Sequence, residues 1–223
     1  ADYSQIELRI IAEFSKENAL VSAFKSNEDI HTRTAALVFN INESEVEKHH
    51  RRMAKVVNYG IMYGAGPFRI SQELGISIAE SKKLINDYFT SYDGIKTYID
   101  KTIRKAYSDG FVSTLNGRKR KCRFGVNKIV NKAEERASIN MPIQGTAAEL
   151  IKIAMINLQK KLDSEEISAK MILQVHDELL FEVHKDEVDA LAPINVKEME
   201  TAIKMDVPII VDWSYGKDWY EAH

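Results

Sequence analysis

The sequence predicts an α+β fold, in which an antiparallel sheet drawing strands from both ends of the chain is interrupted by a long, mostly helical insertion. Two patterns carry this expectation. Apolar residues recur at helical spacing through residues 6–14, 18–89 and 147–162, whereas Met171–Val183 and Val207–Val211 are rich in strand formers. Strands segregated from a helical run point to α+β and away from a regular alternation of strand and helix.

Ile6, Ile10, Ile11 and Phe14 predict a first helix, which leaves Asp2 at the exposed corner where a strand gives way to it. Helical pattern then continues from Asn18 to Phe89, broken at Gly64-Ala65-Gly66-Pro67. Between Gly110 and Gly125, Val112, Thr114 and Leu115 precede the hairpin-turn dipeptide Asn116-Gly117, with a basic cluster expected at the tip. Asn140 followed by Pro142 suits a helix start, and Ala147, Leu150, Ile151, Ala154, Met155 and Leu158 mark its apolar face. Met171–Val183 reads as two antiparallel strands turning at His176-Asp177-Glu178. Helix returns over Val188–Met205, and Val207–Val211 forms a last strand before a tail ending in Trp219 and Tyr220.

At 223 residues, 44% hydrophobic and 29% charged, the chain has the composition of an ordinary globular protein. Its single cysteine, Cys122, excludes an internal disulfide and a tetrathiolate zinc site, which fits a reducing, cytoplasmic setting. No apolar run approaches the roughly 20 residues of a spanning helix, so no membrane association is expected. The opening Ala1-Asp2-Tyr3 lacks an initiator Met and reads as the inside of an element, so a fragment is expected. A net charge of -2 gives no global basic footprint for nucleic acid. Basic residues are instead local, in Lys48-His49-His50-Arg51-Arg52 with Lys55, and in Arg118-Lys119-Arg120-Lys121 with Arg123. Each run alone reads as a solvated face.

Three segments carry chemistry: Asp2-Tyr3-Ser4-Gln5-Ile6-Glu7-Leu8-Arg9, then Arg51 to Gly64, then Gln174-Val175-His176-Asp177-Glu178. In residues, order and spacing they resemble the three polymerase motifs of the family A, DNA polymerase I-like enzymes. The resemblance covers nearly the whole chain, and three motifs in order are far more specific than one. It implies a palm carrying Asp2 and Asp177, with palm over 1–15 and 129–223 and fingers over 16–128. The implied activity is template-directed DNA synthesis from dNTPs on primer-template DNA, in replication and repair, by a monomer from a bacterium or phage.

Such phosphoryl transfer uses two divalent ions, which need shared carboxylates. Asp2 at a strand end and Asp177 at a turn are the expected magnesium ligands, with manganese a possible substitute; on adjacent strands they meet despite their separation in sequence. The resemblance adds the backbone carbonyl of Tyr3 and makes Glu178 an auxiliary carboxylate. Arg51, Lys55, Tyr59 and Tyr63 recur every four residues and form a helical stripe of about 18 Å, long enough for a triphosphate, sugar and base. Arg51 suits the phosphates as a fork and Lys55 as a point charge, which can also protonate departing pyrophosphate.

The remaining roles come from the resemblance. Glu7 packs beneath the incoming sugar and excludes a ribose hydroxyl. Tyr59 stands where many relatives have Phe and is associated with acceptance of dideoxynucleotides. Tyr63 stacks on the templating base or primer terminus. His31, in Asp29-Ile30-His31, contacts the nucleotide phosphates, and His176 supports the primer terminus. Arg136, Asn140 and Gln144 touch the duplex near the minor groove, where acceptors common to all base pairs allow sequence-neutral contact. With six scattered histidines no zinc site is expected. A single-subunit RNA polymerase is the catalytic rival, opposed by Glu7 and the Asp2–Arg9 segment. A noncatalytic DNA-binding fragment is the other, opposed by intact Asp2, Arg51, Lys55 and Asp177. The isolated fragment is expected to be weakly active or inactive.

Overall fold

A computed structural model describes residues 1–164 and 167–222. Strand β1 (Asp2–Tyr3) passes into α1 (Ile6–Ser15) through a turn in which Gln5 takes a left-handed backbone, φ 53°. Helices α2 (Asn18–Lys25) and α3 (Ile30–Phe39) start at side-chain caps, Glu17 accepting from Ala19 N–H and Asp29 from His31 and Thr32 N–H. Helix α4 (Lys48–Met62) ends where Tyr63 leaves helical geometry and Gly64 takes φ 68°. Pro67 then opens α5 (Pro67–Leu74) at a position where its missing N–H costs nothing. A Ser77–Glu80 capping box starts α6 (Ile78–Ser91), and α7 (Asp93–Asp109) stops at left-handed Gly110.

Strands β2 (Phe111–Ser113) and β3 (Lys119–Lys121) form the expected hairpin, with Val112 opposite Arg120. The basic run is the return strand itself and not the tip. The tip is Thr114–Arg118, closed by the Thr114 N–H to Arg118 carbonyl bond and the Arg118 N–H to Thr114 Oγ1 bond.

Helix α8 (Lys128–Ser164) begins well before the expected start at Asn140, and Pro142 lies inside it. The cap chemistry is that of Asn127, whose Oδ1 accepts from the N–H groups of Ile129 and Val130. Ile139 and Ile143 are buried on either side of Pro142. Their burial offsets the roughly 3 kcal/mol that an interior proline costs.

Strands β4 (Ala169–Val175) and β5 (Glu178–Val183) turn at His176 and Asp177, with His176 at φ 53° and Glu178 already in the strand. Helix α9 (Val188–Glu200) ends before the expected Met205. The last strand, β6, is only Val211–Asp212, shorter than the expected 207–211. The tail forms α10 (Trp219–Ala222). The four-stranded sheet has the order β4-β5-β1-β6, so the first strand of the chain pairs antiparallel between two late ones.

Two compact units result: residues 1–7 with 146–223, and residues 8–145. Most of α1 and the first half of α8 group with the helical unit. There Arg9 lies over the Phe24 ring at 4.6 Å, and Phe14 stacks on Tyr98 at 5.5 Å. A Cβ on Gly145 would meet Thr114 Cγ2 at 2.7 Å, so glycine is what lets α8 approach the hairpin.

Candidate active site

In the sheet unit, β1 is the strand that gathers the acidic residues. Asp2 lies opposite Glu178 on β5 and opposite Asp212 on β6. Main-chain bonds hold this register: Leu179 N–H donates to the Ala1 carbonyl at 2.8 Å and Tyr3 N–H to the Asp177 carbonyl at 3.3 Å. Tyr3 is 2% exposed and its hydroxyl donates to the Met199 carbonyl at 2.9 Å, which anchors β1 to the end of α9. Burial first, then the Asp177 and Glu178 carboxylates, raise Asp2 above the usual carboxylate range, against the opposing pull of the Ala1 ammonium and the Tyr3 N–H. A cation would relieve negative charge crowded in this way. Among the described residues no group of three or more His, Cys, Asp or Glu side chains is arranged to hold a metal by itself. Magnesium does not require such a cage, because it is bound through one or two carboxylates together with waters and substrate phosphates. His176 is exposed at the turn, where its carbonyl accepts from Gln174 Nε2.

In the helical unit, α4 is strongly two-faced. Ala54, Val57, Asn58, Ile61 and Met62 are buried, while Arg51 and Lys55 are exposed and Tyr59 and Tyr63 half-buried. The Tyr59 and Tyr63 rings stack at 6.4 Å, and His31 from α3 lies 5.8 Å from Tyr59. Arg51 Nε donates to Asp29 Oδ2 at 2.7 Å. Burial works to raise Asp29, but hydrogen bonds from Arg51 and from the Thr32 and His31 N–H groups outweigh it and hold the carboxyl below its ordinary range. His31, 3% exposed, is depressed to a pKa of about 4 by burial; Asp29 opposes the shift, and Arg51 and Lys55 add to it. The imidazole is therefore neutral near pH 7.

A sequence model described as DNA polymerase family A matches residues 1–221. The chain belongs to DNA polymerase family A. This family A chain is 45% identical over its whole length to a DNA polymerase I of Lactococcus lactis and 43% identical to one of Bacillus subtilis, covering 26% of each. It thus spans about a quarter of the length of these relatives. Among solved structures, the POL domain of Pol1 from M. smegmatis, in complex with DNA primer-template and dNTP, matches 99% of this chain and 39% of that one. The TM-score of that match is 0.95 at 39% identity. The fold is therefore the α+β fold of a family A polymerase domain.

Within the family A chain, Asp2, Tyr3, Asp177 and Glu178 meet in the sheet unit, and Arg51, Lys55, Tyr59, Tyr63 and His31 meet in the helical unit. Glu7 is half-buried in the first turn of α1. Arg136 and Gln144 are exposed on α8 with Asn140 half-buried between them, and Asn140 Oδ1 is buried with no hydrogen-bond partner among the described residues. A Cβ on Gly64 would meet Arg136 Cγ at 2.9 Å, so glycine there allows the end of α4 to reach Arg136. The basic hairpin is partly engaged within the fold: Arg120 forks onto Glu134 at 2.8 and 2.9 Å, and Lys119 lies over Phe111 at 4.3 Å.

Sequence reasoning assigned no role to Asp29, Asn58 or Asp212. An Asp directly before a helical run signals a cap, and so it offered a clue to Asp29. Asp212 had no such signal, because its place opposite Asp2 depends on the sheet register.

Proposed function

We propose that this chain carries out template-directed DNA synthesis, transferring a nucleotidyl group from a dNTP to a primer 3′-hydroxyl, in DNA replication and repair. The observation that carries the reading is the register that seats Asp2 beside the Asp177–Glu178 turn, in a sheet where Asp2 is destabilised as an anion first by burial and then by those two carboxylates. Likeness along its full length to a polymerase domain solved with primer-template and dNTP supports it. The carboxylates of Asp2 and Asp177 and the main-chain carbonyl of Tyr3 are hard oxygen donors, which suit two magnesium ions, or manganese in their place. When bound, such ions lower the charge on the attacking and leaving oxygens.

The chain's own groups do the rest. Glu178 is an auxiliary acid at the same corner. Arg51 exchanges its Asp29 partner for the triphosphate, to which His31 donates a hydrogen bond. Lys55 neutralises phosphate charge and gives a proton to the departing pyrophosphate oxygen. Glu7 selects the deoxy sugar, and Tyr59 admits nucleotides without a 3′-hydroxyl. Tyr63 stacks on the template or primer base, His176 steadies the primer end, and Arg136, Asn140 and Gln144 grip the duplex in the minor groove. Asn140 Oδ1 is buried without a partner among the described residues, and the amide nitrogen of the same side chain can donate to the minor-groove acceptors common to all base pairs. On this reading residues 1–15 and 129–223 act as palm and 16–128 as fingers, in a cytoplasmic monomer.

The test is magnesium-dependent primer extension by the complete polymerase carrying these residues, with dNTPs or rNTPs, beside Asp177→Ala. Extension with dNTPs alone, lost in the variant, is the expected result. Preference for rNTPs would make it an RNA polymerase, and duplex binding without extension a noncatalytic fragment.

A further inference from the structure

Behind His31 lies a buried polar network that nothing in the proposed chemistry uses. Asn58, 2% exposed on the inner face of α4, places its Nδ2 3.1 Å from His31 Nδ1 and 3.1 Å from Thr34 Oγ1. Thr34 is itself fully buried and sits one turn after His31 on α3. Its hydroxyl has one proton, and the Ile30 carbonyl at 2.7 Å is a nearer acceptor than Asn58 Oδ1 at 3.3 Å. With that proton committed, Thr34 Oγ1 must accept from its other neighbours, the Asn58 amide and the Tyr92 hydroxyl at 3.0 Å. Tyr92 stays a neutral donor, since burial pushes it up to about 12. The Asn58 atom that faces the imidazole is the amide nitrogen, which can only donate, so in this orientation of the amide its two protons serve Thr34 Oγ1 and His31 Nδ1. An imidazole whose Nδ1 accepts carries its proton on Nε2.

We propose that Asn58, oriented by Thr34 and Tyr92, is a positioning residue that locks His31 in the neutral Nε2–H tautomer, so that His31 meets the incoming triphosphate as a directed hydrogen-bond donor and not as a cation. This rests on the polymerase reading and deepens it. The charged and titratable groups around the ring agree with it. Asp29 caps α3, Arg51 and Lys55 on α4 are near enough for their charges to act on the ring, and the Tyr59 ring lies 5.8 Å from it. Two cations beside a buried imidazole disfavour a third positive charge, so phosphate binding at His31 depends on where its single proton sits. Asn58 has a physical reason to be amide in particular. A carboxylate there would draw the proton to Nδ1, and an apolar side chain would leave the tautomer unset.

The experiment uses the complete polymerase carrying these residues, with its histidines labelled with 15N in the ring and His31 identified through His31→Gln. The wild-type spectrum should show an unprotonated Nδ1 and a protonated Nε2; a protonated Nδ1 overturns the proposal without any further variant. In single-nucleotide incorporation, Asn58→Leu should raise the half-saturating dNTP concentration about tenfold, the loss expected of one misdirected bond to a charged ligand. The maximal rate should stay within about threefold and duplex affinity should not change. Asn58→Asp should move the acid limb of the pH profile upward by about one unit. Thr34→Val, nearly isosteric, should reproduce part of the Asn58→Leu effect if the latter folds poorly. In a His31→Gln background, Asn58→Leu should cost nothing more. Equal losses with and without His31, or an unmoved pH profile, would overturn the proposal. If the wild-type enzyme incorporates no nucleotide, the polymerase reading fails and the phosphate role of His31 with it, while the spectrum still decides for or against Asn58 as the lock.

Discussion

Asp29 does two jobs with one carboxylate: one oxygen caps α3 and the other holds Arg51. Asparagine preserves the cap but not the ion pair. Both partners are substantially exposed, so the pair is worth at most about 1 kcal/mol, and Asp29→Asn should lower the half-saturating dNTP concentration by about two- to fivefold. A rise would mean that Asp29 aims Arg51 at the phosphates and does not compete with them. His31 links stability to pH. Its folded pKa of about 4 lies below the ordinary 6.5, so the unfolded chain binds more protons between those values. The His31 contribution is complete above pH 6.5 and is lost as pH falls toward 4. Thermal melts across that window should show a shallower acid slope in His31→Gln than in the wild type.

Helix ends are where single residues control whole elements. Glu17 accepts from Ala19 N–H at 3.2 Å and from Gly94 N–H at 2.8 Å, tying the start of α2 to the start of α7. Glycine at 94 gives this contact room, since a Cβ there would stand 2.8 Å from Glu17 Oε2 and 3.2 Å from Glu17 Cα. Removing both acceptors in Glu17→Ala should cost about 2–3 kcal/mol in denaturant unfolding. Gly64 terminates α4 with φ 68° beside Arg136. Gly64→Ala should cost about 1–2 kcal/mol from backbone strain alone, and it should also weaken duplex affinity by displacing Arg136. Unchanged duplex affinity would remove Arg136 from the DNA contacts.

Over the whole molecule, a net charge of -2 supplies no long-range attraction to DNA. Retention of a duplex by this chain has to come from local cations, and Arg120 and Lys119 are already engaged within the fold. The 223-residue chain alone should therefore bind primer-template weakly and extend it slowly. Raising salt from about 50 to 200 mM should abolish what binding there is, by counterion release. Robust extension by the isolated chain would show that these residues suffice. No helix among the described residues is long and apolar enough to cross a membrane.

What the sequence determined by itself was local or periodic. The helical stripe of Arg51, Lys55, Tyr59 and Tyr63, the hairpin at Asn116-Gly117 and the turn carrying Asp177 were all legible, because spacing along one element decides which face a residue occupies. The start of α8 was not legible, because Asn140 before Pro142 reads as a helix start, whereas the cap bonds are made by Asn127 and the helix runs on through Pro142. Tertiary structure alone decided what touches across the chain. The placing of Asp2 opposite both Glu178 and Asp212, the Asp29–Arg51 pair and the Asn58–His31 bond join residues from different elements, whose meeting depends on register and packing and leaves no periodic trace in the sequence.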